Sequence, residues 1–220
     1  RAIIYRDSHT NTVEKNILQN LRLDGSKQDL IKATISYLHP YFNKTIEIHT
    51  NIPRESGFGG SSALNVALVL ALLKEKEELT NPEELARIAY HIERKILQIE
   101  GGYQDQWTAA YGRGINLMIF KNKKVEVIPV KMTPEGVRKL EENSLLVYFS
   151  PRTKSGKEIH RDQEKKVQEN AEEIKGIMIE KRENTQKIKE ALETNQFEIF
   201  AQCLNKDWEL KQKLSGKIAI

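Results

Sequence analysis

Cysteine is almost absent from this chain: Cys203 is the only one in 220 residues. That excludes an internal disulfide and a multi-cysteine metal site. Long hydrophobic runs are absent too. The longest apolar stretch, Ala63 to Leu73, is interrupted by Asn65 and falls short of the roughly 20 residues that cross a bilayer. No basic-then-apolar signal segment opens the chain. Charge of one sign is not in large excess: the net charge is +4 and the pI near 9.0. Lysines and arginines alternate with glutamates from Lys154 to Lys189. Interspersed charge of this kind makes a solvated helix face, whereas a nucleic-acid groove needs segregated positive charge. What remains is a globular composition, 39% hydrophobic and 30% charged, with a cytoplasmic home expected.

The hydrophobic pattern mixes strands and helices, an α+β reading. Ala2–Tyr5 reads as a short strand and Asp29–Tyr41 as a helix with Leu30, Ile31, Ala33, Ile35 and Leu38 on its apolar face. Thr45–Ile52 alternates like a half-buried strand, stopped by Pro53. Ala63–Lys76 is apolar nearly all round and predicts a buried helix. The next helix has Asn81 as N-cap, Pro82 as first residue and Glu84 three after the cap. It is expected to run to about Leu97, ahead of Gly101-Gly102. Trp107–Tyr111 predicts a short helix. Ile115–Phe120 and Val125–Val130 predict a hairpin turning at Asn122-Lys123. Pro134–Glu142 predicts a helix and Leu145–Phe149 a strand. Lys157–Leu214 is mostly helical and charged. A composition shift near Ser150 suggests a mixed part over residues 1–150 and a helical part over 151–220.

One loop is rich in chemistry. Gly57-Phe58-Gly59-Gly60-Ser61-Ser62 lies between a strand and a buried helix. Glycines allow positive φ and close approach of a ligand to the main chain. The first amides of the following helix lack internal partners, and the helix dipole is positive there, which makes an anion site. The two serines add hydroxyls for phosphate oxygen or a phosphate-bound Mg²⁺. A polyphosphate is the expected ligand; a tight strand-to-helix turn with a serine cap is the plainer alternative. No Gly-Lys-Ser/Thr follows, so the loop is not a Walker loop. The third glycine and the distal acid of a dinucleotide fingerprint are missing.

Two carboxylates stand out beyond the loop. Glu93 falls at the edge of the apolar stripe formed by Leu85, Ile88, Ala89, Ile92 and Ile96. A half-buried carboxylate is costly unless it is paired or metal-bound. Pairing with Arg94 or Arg87 is the structural alternative. Asp105 follows the Gly101-Gly102 turn, with Trp107 and Tyr111 near it as shields from water. It suits either a base that accepts a hydroxyl proton or the N-cap of the short helix. Arg152 and Lys154 sit on a loop after a strand, where they would hold a substrate phosphate or be solvated. His91 reads as structural, and His49 and His160 have no partner pattern for a metal. Trp208, Phe197 and Cys203 read as core.

The run from Pro53 to Ala63 resembles the phosphate-binding motif of the GHMP kinases, the family of galactokinase, homoserine kinase, mevalonate kinase and phosphomevalonate kinase. Gly-Phe-Gly-Gly-Ser-Ser-Ala-Leu is most similar to the sugar-kinase subgroup that acts on heptose 7-phosphate. A second segment, Gly101-Gly102-Tyr103-Gln104-Asp105-Gln106, looks like that subgroup's Gly-Gly-x-Gln-Asp-Gln. The resemblance extends loosely from Thr45 to Leu214. It implies a GHMP kinase fold, with an N-terminal part like the second domain of ribosomal protein S5 and the start of a helical, ferredoxin-like C-terminal part. It implies ATP bound by Gly57, Phe58, Gly59, Gly60, Ser61 and Ser62, Mg²⁺ held by Ser61 and Glu93, and Asp105 as catalytic base. Gly101, Gly102, Tyr103 and Gln104 would line the sugar pocket, with Arg152 and Lys154 on its phosphate. The family's N-terminal substrate segment and C-terminal glycine-rich segment have no counterpart here, so the chain reads as the middle of a kinase. The activity implied is phosphorylation of a sugar or sugar-phosphate hydroxyl in carbohydrate metabolism, without nucleic-acid or membrane partners and with homo-oligomerisation left open. A mevalonate-type acceptor, or a non-catalytic module that inherited the loop, are the other readings.

Overall fold

The computed structural model describes residues 2–8, 10–17, 20–53, 56–112, 114–122, 124–147 and 167–214. These fall into two compact units, one within residues 2–112 and one formed by 114–147 with 167–214. Helices and strands are mixed, as the hydrophobic pattern requires.

In the first unit, β1 (Ala2–Asp7) is central in a three-stranded sheet of order β2-β1-β3. It pairs antiparallel with β2 (Thr12–Ile17) and parallel with β3 (Thr45–Thr50), Ile3 facing Asn16 on one side and Ile46 on the other. β2 was not legible as a strand, and it leaves Val13 and Ile17 exposed. The parallel β1–β3 pairing needs a crossover, which α1 (Asp29–Leu38) supplies. Ile31 and Ile35 of α1 pack on Ile3, Ile48, Phe42, Leu68 and Leu72. The loop before α1 is tied down by Lys32, whose Nζ lies 2.6 Å from Asp24 Oδ1 and 3.1 Å from Ser26 Oγ. That contact raises the Lys32 ammonium pKa and holds the Asp24 carboxyl well below the usual range.

α2 (Gly60–Glu75) is shared by two packing layers. Leu68 and Leu72 face the sheet cluster, while Val66, Val69 and Leu73 join Ala33, Leu85, Ala89 and Ile92. The expected all-round burial is corrected at one stripe: Ala63, Ala67 and Ala71 are exposed. α3 (Pro82–His91) starts as the cap signal predicts, Glu84 N donating to Asn81 Oδ1 at 3.0 Å. It does not continue as an α-helix to Leu97. From Ile92 to Ile96 it widens to a π-helical turn, with Leu97 N donating to Ile92 O at 3.0 Å. π turns are rare and recur at functional sites. α4 (Gln104–Tyr111) begins earlier than Trp107 and stops at Gly112.

In the second unit, β4 (Asn116–Lys121) and β5 (Lys124–Pro129) form the expected hairpin. α5 (Pro134–Glu142) is capped by Thr133, whose hydroxyl accepts from Gly136 N. α6 (Ala171–Glu193) and α7 (Phe197–Leu214) pack through Ile174, Ile177 and Leu210. Cys203 is buried as expected, and its carbonyl accepts from Asn184 Nδ2. Trp208 is corrected from core to partly exposed, at 38%. Residues 145–147 are not strand, so the described part of the expected Leu145–Phe149 strand is absent; Tyr148 and Phe149 lie outside the described residues. Among the described residues no helix is long and apolar enough to cross a membrane.

Candidate active site

β3 ends at Thr50, and the chain turns through the glycine loop into α2. Gly57 (φ +81°) and Gly59 (φ +70°) hold left-handed backbone, which costs a side-chain-bearing residue roughly 1 kcal/mol. Gly59 is the N-cap of α2 and offers no side-chain hydrogen bond. The first helical bond runs from Ala63 N to Gly59 O. The helix therefore supplies no partners for the amides of Gly60, Ser61 and Ser62. Phe58 is 41% exposed beside them.

The two serines have different environments. Successive helix residues turn by about 100°, so Ser62 joins the inward stripe of Asn65, Val66 and Val69, while Ser61 is exposed. Ser62 is the serine that meets Glu93: its hydroxyl donates to Glu93 Oε2 at 3.0 Å. Glu93 is 3% exposed, far from a rim position. Oε2 also accepts from Gln106 Nε2 at 2.8 Å and Arg94 Nη1 at 3.3 Å, and Oε1 accepts from Asn65 Nδ2 at 3.1 Å. Glu93 is the second residue of the π turn, and Ile99 N donates to its carbonyl at 2.9 Å. Arg87 pairs instead with Glu83.

Asn65 and Gln106 are the residues that sequence reasoning passed over. Both are 0% exposed. Asn65 read as an interruption of an apolar run; it bonds Ala89 O at 2.9 Å as well as Glu93, and its Oδ1 lies 3.0 Å from the Thr34 hydroxyl. Its signal was a polar residue on the inward stripe of a buried helix, which demands a partner. Asn65→Leu removes two donors from buried oxygens, at about 1–3 kcal/mol for each unsatisfied group. The variant is expected to lose roughly 3 kcal/mol of unfolding free energy in a urea titration; an unchanged midpoint would contradict the network's importance.

Gln106 Nε2 also donates to Ser62 Oγ at 3.1 Å, leaving its buried Oε1 without a hydrogen-bond partner. Glu93, the loop serines and this unpartnered amide oxygen are hard oxygen donors of the kind Mg²⁺ takes, so the donor set fits that ion. Among the described residues no group of three or more His, Cys, Asp or Glu could hold a metal.

Asp105 is exposed in the first turn of α4, but the N-cap is Tyr103, so the cap reading of Asp105 is excluded. It stands against the loop: a Cβ built on Gly59 would lie 3.6 Å from Asp105 Cγ and 3.9 Å from Oδ1. The expected base and the expected phosphate loop are thus neighbours, although 46 positions separate them in sequence (105 − 59). Trp107 is 1% exposed. Tyr103 stacks on Tyr90 at 4.2 Å and 6°, and Trp107 meets both rings edge-on. Burial, and then a hydrogen bond to Tyr103, pushes the Tyr90 phenol pKa up. Gly101 and Gly102 precede this cluster, and Gln104 is exposed. Arg152 and Lys154 lie outside the described residues. His91 packs on Tyr37, ring centroids 5.1 Å apart.

Comparison with known proteins bears on the family and the fold. The family model for the GHMP kinases N terminal domain matches residues 29–113. D-glycero-alpha-D-manno-heptose 7-phosphate kinase of Campylobacter jejuni is 34% identical over 97% of this chain and 63% of its own length. A D-glycero-D-manno-heptose 1-phosphate kinase from Bacteriodes thetaiotaomicron has a solved structure that superposes with TM-score 0.69 at 29% identity, over 96% of this chain and 64% of that one. The Methanococcus jannaschii mevalonate kinase shares the fold, with TM-score 0.56 at 21% identity over 97% and 66%. The chain spans just under two thirds of the heptose kinases it matches. A matched family model, the fold and the ordered glycine loop point the same way: residues 29–113 are similar to the N-terminal domain of the GHMP kinases.

Proposed function

We propose that this protein transfers the γ-phosphoryl group of ATP to a hydroxyl of a sugar or sugar phosphate resembling heptose 7-phosphate. The observation that carries the proposal is the approach of Asp105 to Gly59, with buried Glu93 tied to the same loop through Ser62. Phosphoryl transfer asks a protein for positioning, neutralisation of phosphate charge and a group that receives the hydroxyl proton. The free amides at Gly60, Ser61 and Ser62, with Gly57, Phe58 and Gly59, would bind the polyphosphate at the start of α2. Glu93 and the loop serines would hold Mg²⁺: Ser62 touches the carboxylate, and Ser61 is the exposed hydroxyl one residue before it. The ion would supply charge neutralisation on the phosphates.

Asp105 would accept the proton as the acceptor oxygen attacks the γ-phosphorus, while the bond from that phosphorus to the β,γ-bridging oxygen breaks and ADP leaves. Gly101, Gly102, Tyr103 and Gln104 would line the acceptor side, and Arg152 and Lys154 would meet its phosphate. The catalytic part would lie in residues 1–150 and the helical part in 151–220. A cytoplasmic location and homo-oligomers belong to the same proposal.

The acceptor is tested by ADP release with Mg·ATP and a panel of heptose 7-phosphate, other sugar phosphates, free sugars and mevalonate. The expected result is turnover on sugar phosphates at least ten times faster than on mevalonate. Preference for mevalonate would overturn the acceptor class. ATP binding without turnover on any acceptor would favour the non-catalytic module.

A further inference from the structure

The residue after Glu93 has a position that neither ATP nor Mg²⁺ explains. The Arg94 side chain is only 11% exposed. Its Nε donates to Gly101 O at 3.0 Å, Nη2 to Gly102 O at 3.1 Å and Nη1 to Ile99 O at 3.3 Å. Nη1 also meets Glu93 Oε2, and the guanidinium carbon sits 5.9 Å from the Tyr90 ring centroid. One guanidinium thus holds three carbonyls of the Ile99–Gly102 turn while facing the buried carboxylate.

The turn is shaped to receive it. Gly101 has φ +148°, and a Cβ there would lie 2.7 Å from Arg94 Nη2 and 3.0 Å from Cζ. No residue but glycine leaves room for the guanidinium. Tyr103, the next residue past the turn, stacks on the same Tyr90 ring that Arg94 approaches. α4 starts at Gln104, so the turn determines where Asp105 emerges. We propose that Arg94 is a positioning residue: it fixes the Ile99–Gly102 turn and so holds Asp105 against the phosphate loop, while balancing the charge of Glu93. The Asp105 role rests on the kinase reading above; the clamp on the turn does not.

Lysine keeps the charge at this position but lacks the rigid fork that reaches several carbonyls at once. In Arg94→Lys, amide hydrogen exchange across 99–106 is expected to speed up at least tenfold, while α2 stays protected. Turnover is expected to fall about 100-fold, with the ATP dissociation constant changed less than threefold. Gly101→Ala should reproduce the loss by displacing the guanidinium. The double variant should then fall about 100-fold, not 10⁴-fold, since residues acting as one unit are non-additive.

Unchanged exchange across 99–106 in Arg94→Lys would overturn the clamp. Faster exchange with turnover within twofold of the unmodified protein would overturn the positioning role. Parallel loss of turnover, ATP binding and α2 protection would overturn it too, in favour of a general folding role. Absence of turnover in the unmodified protein would remove the kinase reading, and the exchange result would still decide the clamp.

Discussion

Asp105→Asn is expected to lower turnover by about 10³-fold while leaving ATP affinity within about twofold. The substitution keeps size and shape but removes the acceptor for the hydroxyl proton, and a positioned base contributes about 10²–10⁴-fold. Asp105 is exposed and is not the cap of α4, so the fold has little reason to respond. ATP is assigned to amides at the start of α2, which the substitution does not alter. Steady-state kinetics with ATP titration by calorimetry separates the two effects. Turnover within tenfold of the unmodified protein would remove Asp105 from the base role and leave it as a residue that merely borders the loop.

Glu93→Gln has the second large effect, and here stability and ligand binding fall together. The Glu93 carboxylate collects donors from Ser62, Asn65, Gln106 and Arg94 at 3% exposure. An amide presents an N–H group where at least one of those donors already points. It also leaves the nearly buried Arg94 without its counter-charge. Breaking one partner of a buried pair costs about 3–5 kcal/mol, and a loss of that size is expected in urea unfolding. If Glu93 carries Mg²⁺, the Mg²⁺ dependence of ATP binding should weaken at least tenfold under conditions where the variant stays folded. Full stability with unchanged Mg²⁺ dependence would contradict both roles.

Local signals were sufficient where the chemistry is local. The Asn81 cap with Pro82 fixed the start of α3, the Thr45–Ile52 alternation marked β3, which ends two residues earlier at Thr50, and Asn122-Lys123 marked the hairpin. The glycine loop and the Gly-Gly-x-Gln-Asp-Gln segment were legible as motifs, but their approach at Gly59 and Asp105 is a tertiary fact. Features set by long-range contacts were missed. β2 is an edge strand of mostly polar residues, defined by pairing to β1 rather than by its own alternation. The π turn at Ile92–Ile96 interrupts a stripe that continues in sequence as if the helix were regular.

That Ser62 is the serine facing Glu93 follows from helix phase. Counting back from Val69 through Val66 and Asn65 reaches Ser62, and that count was available in the sequence. Arg94 was weighed only as a partner of Glu93. Its hold on Ile99, Gly101 and Gly102 depends on a turn whose backbone carries no side-chain pattern to read.

The central claim is phosphoryl transfer from ATP to a sugar-type hydroxyl, and the most direct measurement follows the phosphate itself. The protein is incubated with Mg²⁺, heptose 7-phosphate and ATP labelled at the γ position, and the products are separated. The account expects the label on a sugar bisphosphate in one-to-one yield with ADP, and about 10³-fold less of it with Asp105→Asn. Label that remains on ATP or appears only as inorganic phosphate, with heptose 7-phosphate and every other sugar or sugar phosphate offered in its place, would contradict it.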